Sequence, residues 1–238
     1  MTGRRAALIT ICGAIAAGSL GIAIQAARYA HDESTRRPSA AEIALAQTTA
    51  IGQRWERLPL RLIFPAAVAY SSAQDTSETA SRLGISSGDS CAESLDDTVA
   101  GAAGRFGCQA VLRASYADEL DGTVYTVGVV VFPDNADARG FASSVPTAAS
   151  PATGLNALAI SGTAAARFTN PARQTTAAEV TGPYVVLAVS GYADGRPASP
   201  AVEPRDSVFG PARRLMAAVV SPLAAPERVR CGTAEFTC

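Results

Sequence analysis

The longest apolar block comes first. Residues 6–27, AALITICGAIAAGSLGIAIQAA, carry no charged side chain. At about 1.5 Å per residue such a helix is about 33 Å long, close to one hydrocarbon core. Arg4 and Arg5 precede it, and the positive-inside bias then places residues 1–5 as a cytoplasmic tip and everything after the span outside the cell. A cleaved signal peptide is the rival reading, with small residues at Ala14 and Ala16 or around 25–27 offering a peptidase site. The length of the run favours a retained anchor. Gly13, Ala17 and Gly21 fall four apart on this helix, a spacing that lets two spans pack closely and offers a route to a homodimer.

Beyond the span the pattern changes twice. Residues 28–58 begin polar and then show a loose helical stripe of Ile43, Ala46, Ala50, Trp55 and Leu58. Ser39 and Glu42 have the spacing of a capping box. A stalk helix over 39–57 is expected, ended by Pro59, with Trp55 as a packing anchor. From 59 to 225 short apolar runs alternate with turn residues. Strands are expected at 66–70 and 79–86, then a helix over about 95–104 with Ser94 as its N-cap. Runs at 109–117 and 123–132 flank Asp118–Gly122, and the Asp-Gly pair signals a hairpin. Pro133 ends the second run and Asp134 caps a helix over 135–144. A loop covers 145–160. Further strands are expected at 163–170, 173–182 and 183–195. A helix over about 207–220 follows, with Pro211 in its first turn. The repeated order of strands then helix suggests an internal duplication. Neighbouring strands joined by short turns pair antiparallel. The fold class expected is therefore α+β: an N-terminal transmembrane helix and stalk helix, then a mainly antiparallel sheet of about five to seven strands packed with helices. Residues 226–238 form a short tail.

Composition narrows the chemistry. All 20 basic residues are arginine, the one histidine is His31, and the formal net charge is −1. No basic patch emerges, so nucleic acid is not an expected partner. Histidine-dependent nucleophilic sites require a histidine in the folded domain, and Schiff-base or Ser-Lys chemistry requires a lysine. The sequence after residue 31 has neither. Paired carboxylates in a cleft remain open as a hydrolytic device. Asp96 and Asp97 read as helix-start charges, and Asp118, Glu119 and Asp121 as a solvated turn rather than a calcium site. PDNADARG, 133–140, lacks the oxygen spacing and terminal glutamate of a calcium loop. No glycine-rich phosphate loop opens a helix, so no cofactor is expected, and the cysteine spacings are not those of paired CxxC zinc knuckles, so no metal is expected.

Outside the span lie Cys91, Cys108, Cys231 and Cys238. An even number of cysteines in an oxidising compartment favours disulfides. Local pairings are preferred, Cys91 with Cys108 and Cys231 with Cys238, the second tying down the tail. The first meets a geometric obstacle. A helix over 95–104 is about 15 Å long, whereas bridged Cα atoms sit about 5.5 Å apart, so the flanks must fold back, or Cys91 must pair with the tail instead.

Several stretches carry a resemblance: Trp55, Pro59 and Ile63-Phe64-Pro65; Cys91 and Gly107-Cys108 with VLRASY; and GPYVVLAVSGYADGR. Together they resemble uncharacterised actinobacterial single-pass membrane proteins, from the span to about residue 196. The layout is also similar to extracytoplasmic sensor domains of actinobacterial membrane kinases, although no kinase domain is present. The resemblance implies a cell-membrane protein with an extracytoplasmic domain and no known reaction. The functional expectation is a non-catalytic module held in the lipid bilayer through residues 6–27, which binds a protein partner or envelope ligand or supports an envelope assembly. The alternatives are a ligand-sensing domain with an apolar pocket and a carboxylate-dependent envelope hydrolase.

Overall fold

The computed structural model describes residues 19–32, 38–72, 74–146, 153–199 and 208–226. Contacts divide the chain into two units, one comprising 1–46 and 228–238, the other 47–227. In the first unit, residues 19–32 are helical and expose Leu20, Ile22 and Tyr29. Most of the expected span, including Gly13 and Ala17, lies outside the described residues, and Gly21 sits exposed on the helical part. Among the described residues no helix is long and apolar enough to cross a membrane.

The stalk helix is present but interrupted. Helix α1 (Ala40–Gly52) opens with the expected reciprocal cap: the Ser39 amide donates to Glu42 Oε2 at 2.7 Å, and the Glu42 amide to Ser39 Oγ at 3.3 Å. The chain breaks at Gln53 and resumes as α2 (Arg54–Arg57), then α3 (Leu60–Ile63) with Pro59 at its N-cap. Pro59 therefore starts a helical turn as well as ending one, because its fixed φ suits that position. The break matters for packing. It turns Arg54 inward, where its guanidinium donates to the carbonyls of Leu223 (3.0 Å) and Ala225. Trp55 packs against the core as expected.

One antiparallel sheet of six strands organises the second unit, in the order β1-β2-β3-β4-β6-β5. The strands are β1 (Ala67–Ser71), β2 (Ser77–Asp89), β3 (Ala110–Ala117), β4 (Thr123–Val131), β5 (Arg173–Thr181) and β6 (Tyr184–Tyr192). The expected α+β class and strand number both stand. The central strands read as nearly unbroken apolar runs because both faces are covered: every residue of β4 is buried, and all of β6 but Tyr192.

On one face lie α2, α3 and α7 (Pro211–Ala224), packed on Tyr116, Tyr125, Val127, Val129, Tyr184 and Val186. Pro211 stands in the first turn of α7 as expected. On the other face lie α4 (Cys91–Ser94), α5 (Asp97–Arg105) and α6 (Asn135–Ala142), with the chain from 153 to 172, on Val111, Val124, Val130, Val185 and Leu187. Burying each such side chain is worth about 1.5–3 kcal/mol, which makes this double-sided packing the main source of stability. Asp134 caps α6 as expected, accepting from the amides of Ala136 (2.8 Å) and Asp137 (2.9 Å).

Three expectations need correction. Residues 163–170 form no strand. Thr163 Oγ1 accepts from the Ala165 amide, and Pro171 fixes a second turn, giving 3-10 turns at Ala164–Arg167 and Asn170–Ala172. Ser94 does not cap the long helix: α4 ends at Ser94 and α5 starts after Asp96. The duplication also fails. Neighbouring β4 and β6 bring the hairpins β3–β4 and β5–β6 together, and a dyad between antiparallel neighbours would keep both following helices on one face. Instead α6 and α7 lie on opposite faces.

Candidate functional site

The cysteines come first because compartment and chemistry both turn on them. Cys91 and Cys108 are bonded, with Cα atoms 6.4 Å apart. The intervening helix is nearly as long as expected, Asp97–Arg105, and the flanks fold back along it to let the two cysteines meet. Ser90 caps α4, accepting from the Glu93 amide at 3.2 Å. Leu95 and Asp96 are extended, and α5 then runs back towards Cys91. After α5 the chain turns at Gly107, whose φ of 71° favours glycine. The Cys108 amide reaches the Ala103 carbonyl at 2.9 Å. Cys231 and Cys238 lie outside the described residues.

The break between α4 and α5 has a product invisible in the local pattern. Asp96 does not cap its own helix with its side chain. Its carboxylate instead takes a two-pronged ion pair from Arg173 at the start of β5, both contacts 2.9 Å, and the Gly154 amide at 2.6 Å. Arg173 is 4% exposed and Asp96 19%. The remaining Arg173 donors reach Leu155 O (2.7 Å) and Asn170 O (2.9 Å). A strap from 153 to 158 is thereby tied across the sheet. Arg113 donates to Asn156 O at 3.1 Å, Ser115 to Leu158 O at 2.5 Å, and the Leu158 amide to Thr126 Oγ1 at 2.9 Å. Leu155 fills the space above Gly128, where an added Cβ would fall 2.7 Å from Leu155 Cδ1. These polar groups are satisfied by one another and by backbone. The strap is a cover for the sheet.

A cleft opens at the far end of the other face, where β1 runs into β2 and β3 into β4. It encloses about 400 Å³. Tyr70, Glu78, Asp118, Leu120, Tyr125 and Val208 contribute to its lining. Sheet register explains the meeting: Tyr70 pairs directly with Glu78, which puts both side chains on one face. Tyr70 donates to Glu78 Oε2 at 2.6 Å. Burial, reinforced by that hydrogen bond to a carboxylate, pushes the Tyr70 phenol well above its ordinary value, so it stays a donor. Burial does the same to Tyr125, whose hydroxyl lies 2.7 Å from Thr123 Oγ1.

Asp118 forms the turn itself. Its Oδ1 accepts from the amides of Gly122 (2.7 Å) and Thr123 (3.0 Å), and Asp121 takes a φ of 54°. The hairpin connection spans 118–122 as expected, and Asp118 holds it. Glu119 reaches across to the Thr79 amide at 2.8 Å. Sequence reading placed Asp118, Glu119 and Asp121 together but missed Glu78 and Tyr70. The only signal available was the alternation of 66–70, which put Tyr70 on a strand without saying what faced it. No arginine among the described residues pairs with Glu78 or Asp118.

A second groove of about 430 Å³ lies between β5 and α7, lined by Thr176, Ala177, Ala178, Glu179, Arg213 and Met216. It is open and carries both charges, unlike the enclosed apolar pocket that a sensing domain requires. Among the described residues, no group of three histidine, cysteine or carboxylate side chains could hold a metal ion.

Compared with protein-family models, curated proteins and solved structures, the chain matches none.

Proposed function

We propose that the chain is a membrane-anchored, non-catalytic extracytoplasmic module, held in the bilayer through residues 6–27, that binds a protein partner or envelope ligand or supports an envelope assembly. The Cys91–Cys108 disulfide carries the reading. Such bonds persist in oxidising compartments, and this one staples a domain whose sequence, after residue 31, offers neither histidine nor lysine for nucleophilic or Schiff-base chemistry. The exposed apolar side chains of Leu20, Ile22 and Ile24 on a helical segment suit contact with lipid. The resemblance to actinobacterial single-pass proteins points the same way.

One observation favours a second reading, a carboxylate-dependent envelope hydrolase: Glu78 and Asp118 line one cleft. Both, however, accept hydrogen bonds from neighbouring donors. Glycoside hydrolysis needs two carboxyl groups free to act on a substrate, and these two are engaged by the protein's own donors. For the ligand-sensing reading, neither the cleft nor the groove is the enclosed apolar pocket it requires.

Topology is the direct test. After mild reduction, a membrane-impermeant maleimide added to intact cells is expected to label Cys91 and Cys108. Labelling that requires permeabilised cells would overturn the extracytoplasmic assignment. Extraction of the chain from membranes by alkaline carbonate would overturn the anchor.

A further inference from the structure

We propose that the cleft takes the lysine or arginine side chain of an extended segment of a protein partner, which pairs along β1. The assignment rests on the reading of the chain as a partner-binding module and names the surface used. Two separate features meet there.

The first is an unguarded sheet edge. β1 is an outer strand, and among the described residues it pairs only with β2. Ala67, Ala69 and Ser71 are exposed. Proteins protect such edges with charges, prolines or bulges. The strand AVAYS has no charge and no proline, and its register with β2 runs unbroken from Ala67 to Ser71. The opposite edge is different. β5 carries a register shift between Arg173 and Thr175 and the charge of Glu179. One edge is blunted and the other left as a template for an added strand.

The second is the charge at the end of that edge. Tyr70 and Ser71 are β1 residues and cleft residues at once. Glu78 and Asp118 present carboxylates there with no cationic partner among the described residues, and Glu119 and Asp121 add to the field from the same turn. Leu120, 84% exposed, and Val208 supply apolar wall. A long side chain with an aliphatic stem and a cationic head satisfies both kinds of surface. Alternate side chains of an added strand point to the face on which Tyr70 and Glu78 lie, so a bound segment delivers such a residue to the cleft. A free amine makes only the exposed ion pairs, and these are weak alone.

The test uses the full-length, disulfide-bonded chain in detergent micelles. The probes are fluorescent capped peptides of alternating threonine and valine with one central lysine, norleucine or glutamate, and 1,4-diaminobutane as a competitor. The lysine peptide is expected to bind saturably and to slow amide exchange in residues 67–71. Norleucine is expected to weaken binding about threefold and glutamate more, and Glu78→Gln to cost the lysine peptide about threefold, as for a partly exposed ion pair. Leu120→Arg, at an exposed position that the fold does not depend on, is expected to weaken the lysine peptide and favour the glutamate one. Equal binding of all three peptides, no saturable binding, protection elsewhere than β1, or competition by the diamine as strong as by unlabelled lysine peptide each overturns the assignment. So does pairing of β1 with a second copy that excludes the peptide. These outcomes leave the maleimide topology result unchanged, so failure of the cleft and failure of the module reading are told apart.

Discussion

Replacing Asp96 by asparagine removes the charge opposite Arg173 while keeping size and one acceptor. Arg173 is 4% exposed, and its guanidinium cannot move to water without dragging the start of β5. Breaking a buried pair from one side costs about 3–5 kcal/mol, because the other charge stays buried. Two features place this case at the lower end. Arg173 keeps its bonds to Leu155 O and Asn170 O, and Asp96 is 19% exposed, so some of its interaction is screened. The expected loss is about 3 kcal/mol, or about 6–12 °C in Tm for a domain of this size. Urea unfolding at neutral pH with the disulfide intact measures it. Arg173→Met should cost less, about 1–2 kcal/mol, because the carboxylate left behind keeps the Gly154 amide and can reach solvent. In the double variant the loss of Asp96 should add little. A loss below about 1 kcal/mol for Asp96→Asn, or a larger loss for Arg173→Met, would show that the pair does not hold the strap.

Cys91→Ser with Cys108→Ser opens a loop whose ends are 17 residues apart, worth about 3 kcal/mol on the chain-entropy estimate, and differential scanning calorimetry against the oxidised chain reads the loss. Gly128→Ala puts a methyl 2.7 Å from Leu155 Cδ1 and should cost about 1–3 kcal/mol; combined with Leu155→Ala, the two losses should sum to more than the double variant shows, and strict additivity would refute the contact. Burial raises the phenols of Tyr70, Tyr116, Tyr125 and Tyr184 above the ordinary 10.0. The unfolded chain therefore loses these protons first, so the stability they contribute is complete below pH 10 and falls as pH rises beyond it. A thermal midpoint that stays flat above that pH would contradict the burial.

What could be read from the sequence was local. Ser39 with Glu42 and Asp134 before α6 are caps, and each acts within a few residues of itself, so spacing alone specifies it. The apolar runs of β4 and β6 mark strands for the same reason. Asp96 shows where that kind of reading ends. Its position before α5 suggests a charge at a helix start, yet its partner Arg173 stands 77 residues away. Residues 163–170 fail in a related way. Their alternation around Phe168 matches a strand, but Thr163 and Pro171 bend the chain before it can join a ladder. Pairing of β4 with β6, across the intervening β5, likewise depends on packing that no local period encodes.

The arginines connect these observations to the cleft. With lysine absent, arginine is the only strong cation in the domain, and several of the described arginines bind backbone carbonyls. Arg54 binds the end of α7 through the carbonyls of Leu223 and Ala225, Arg82 binds Phe64 O, Arg113 binds Asn156 O, and Arg173 binds Leu155 O and Asn170 O. A guanidinium suits this task because its planar fork satisfies several acceptors at once and stays charged when buried. Asp96 is the counter-charge of buried Arg173, and Asp194 pairs with exposed Arg196. Among the described residues no cation pairs with Glu78 or Asp118, although a nearly neutral chain has cations enough to do so. Carboxylates left without a cation beside an unguarded strand keep a standing attraction for a basic segment from outside. The same acidic field repels acidic segments, so the cleft selects by charge as well as by strand pairing.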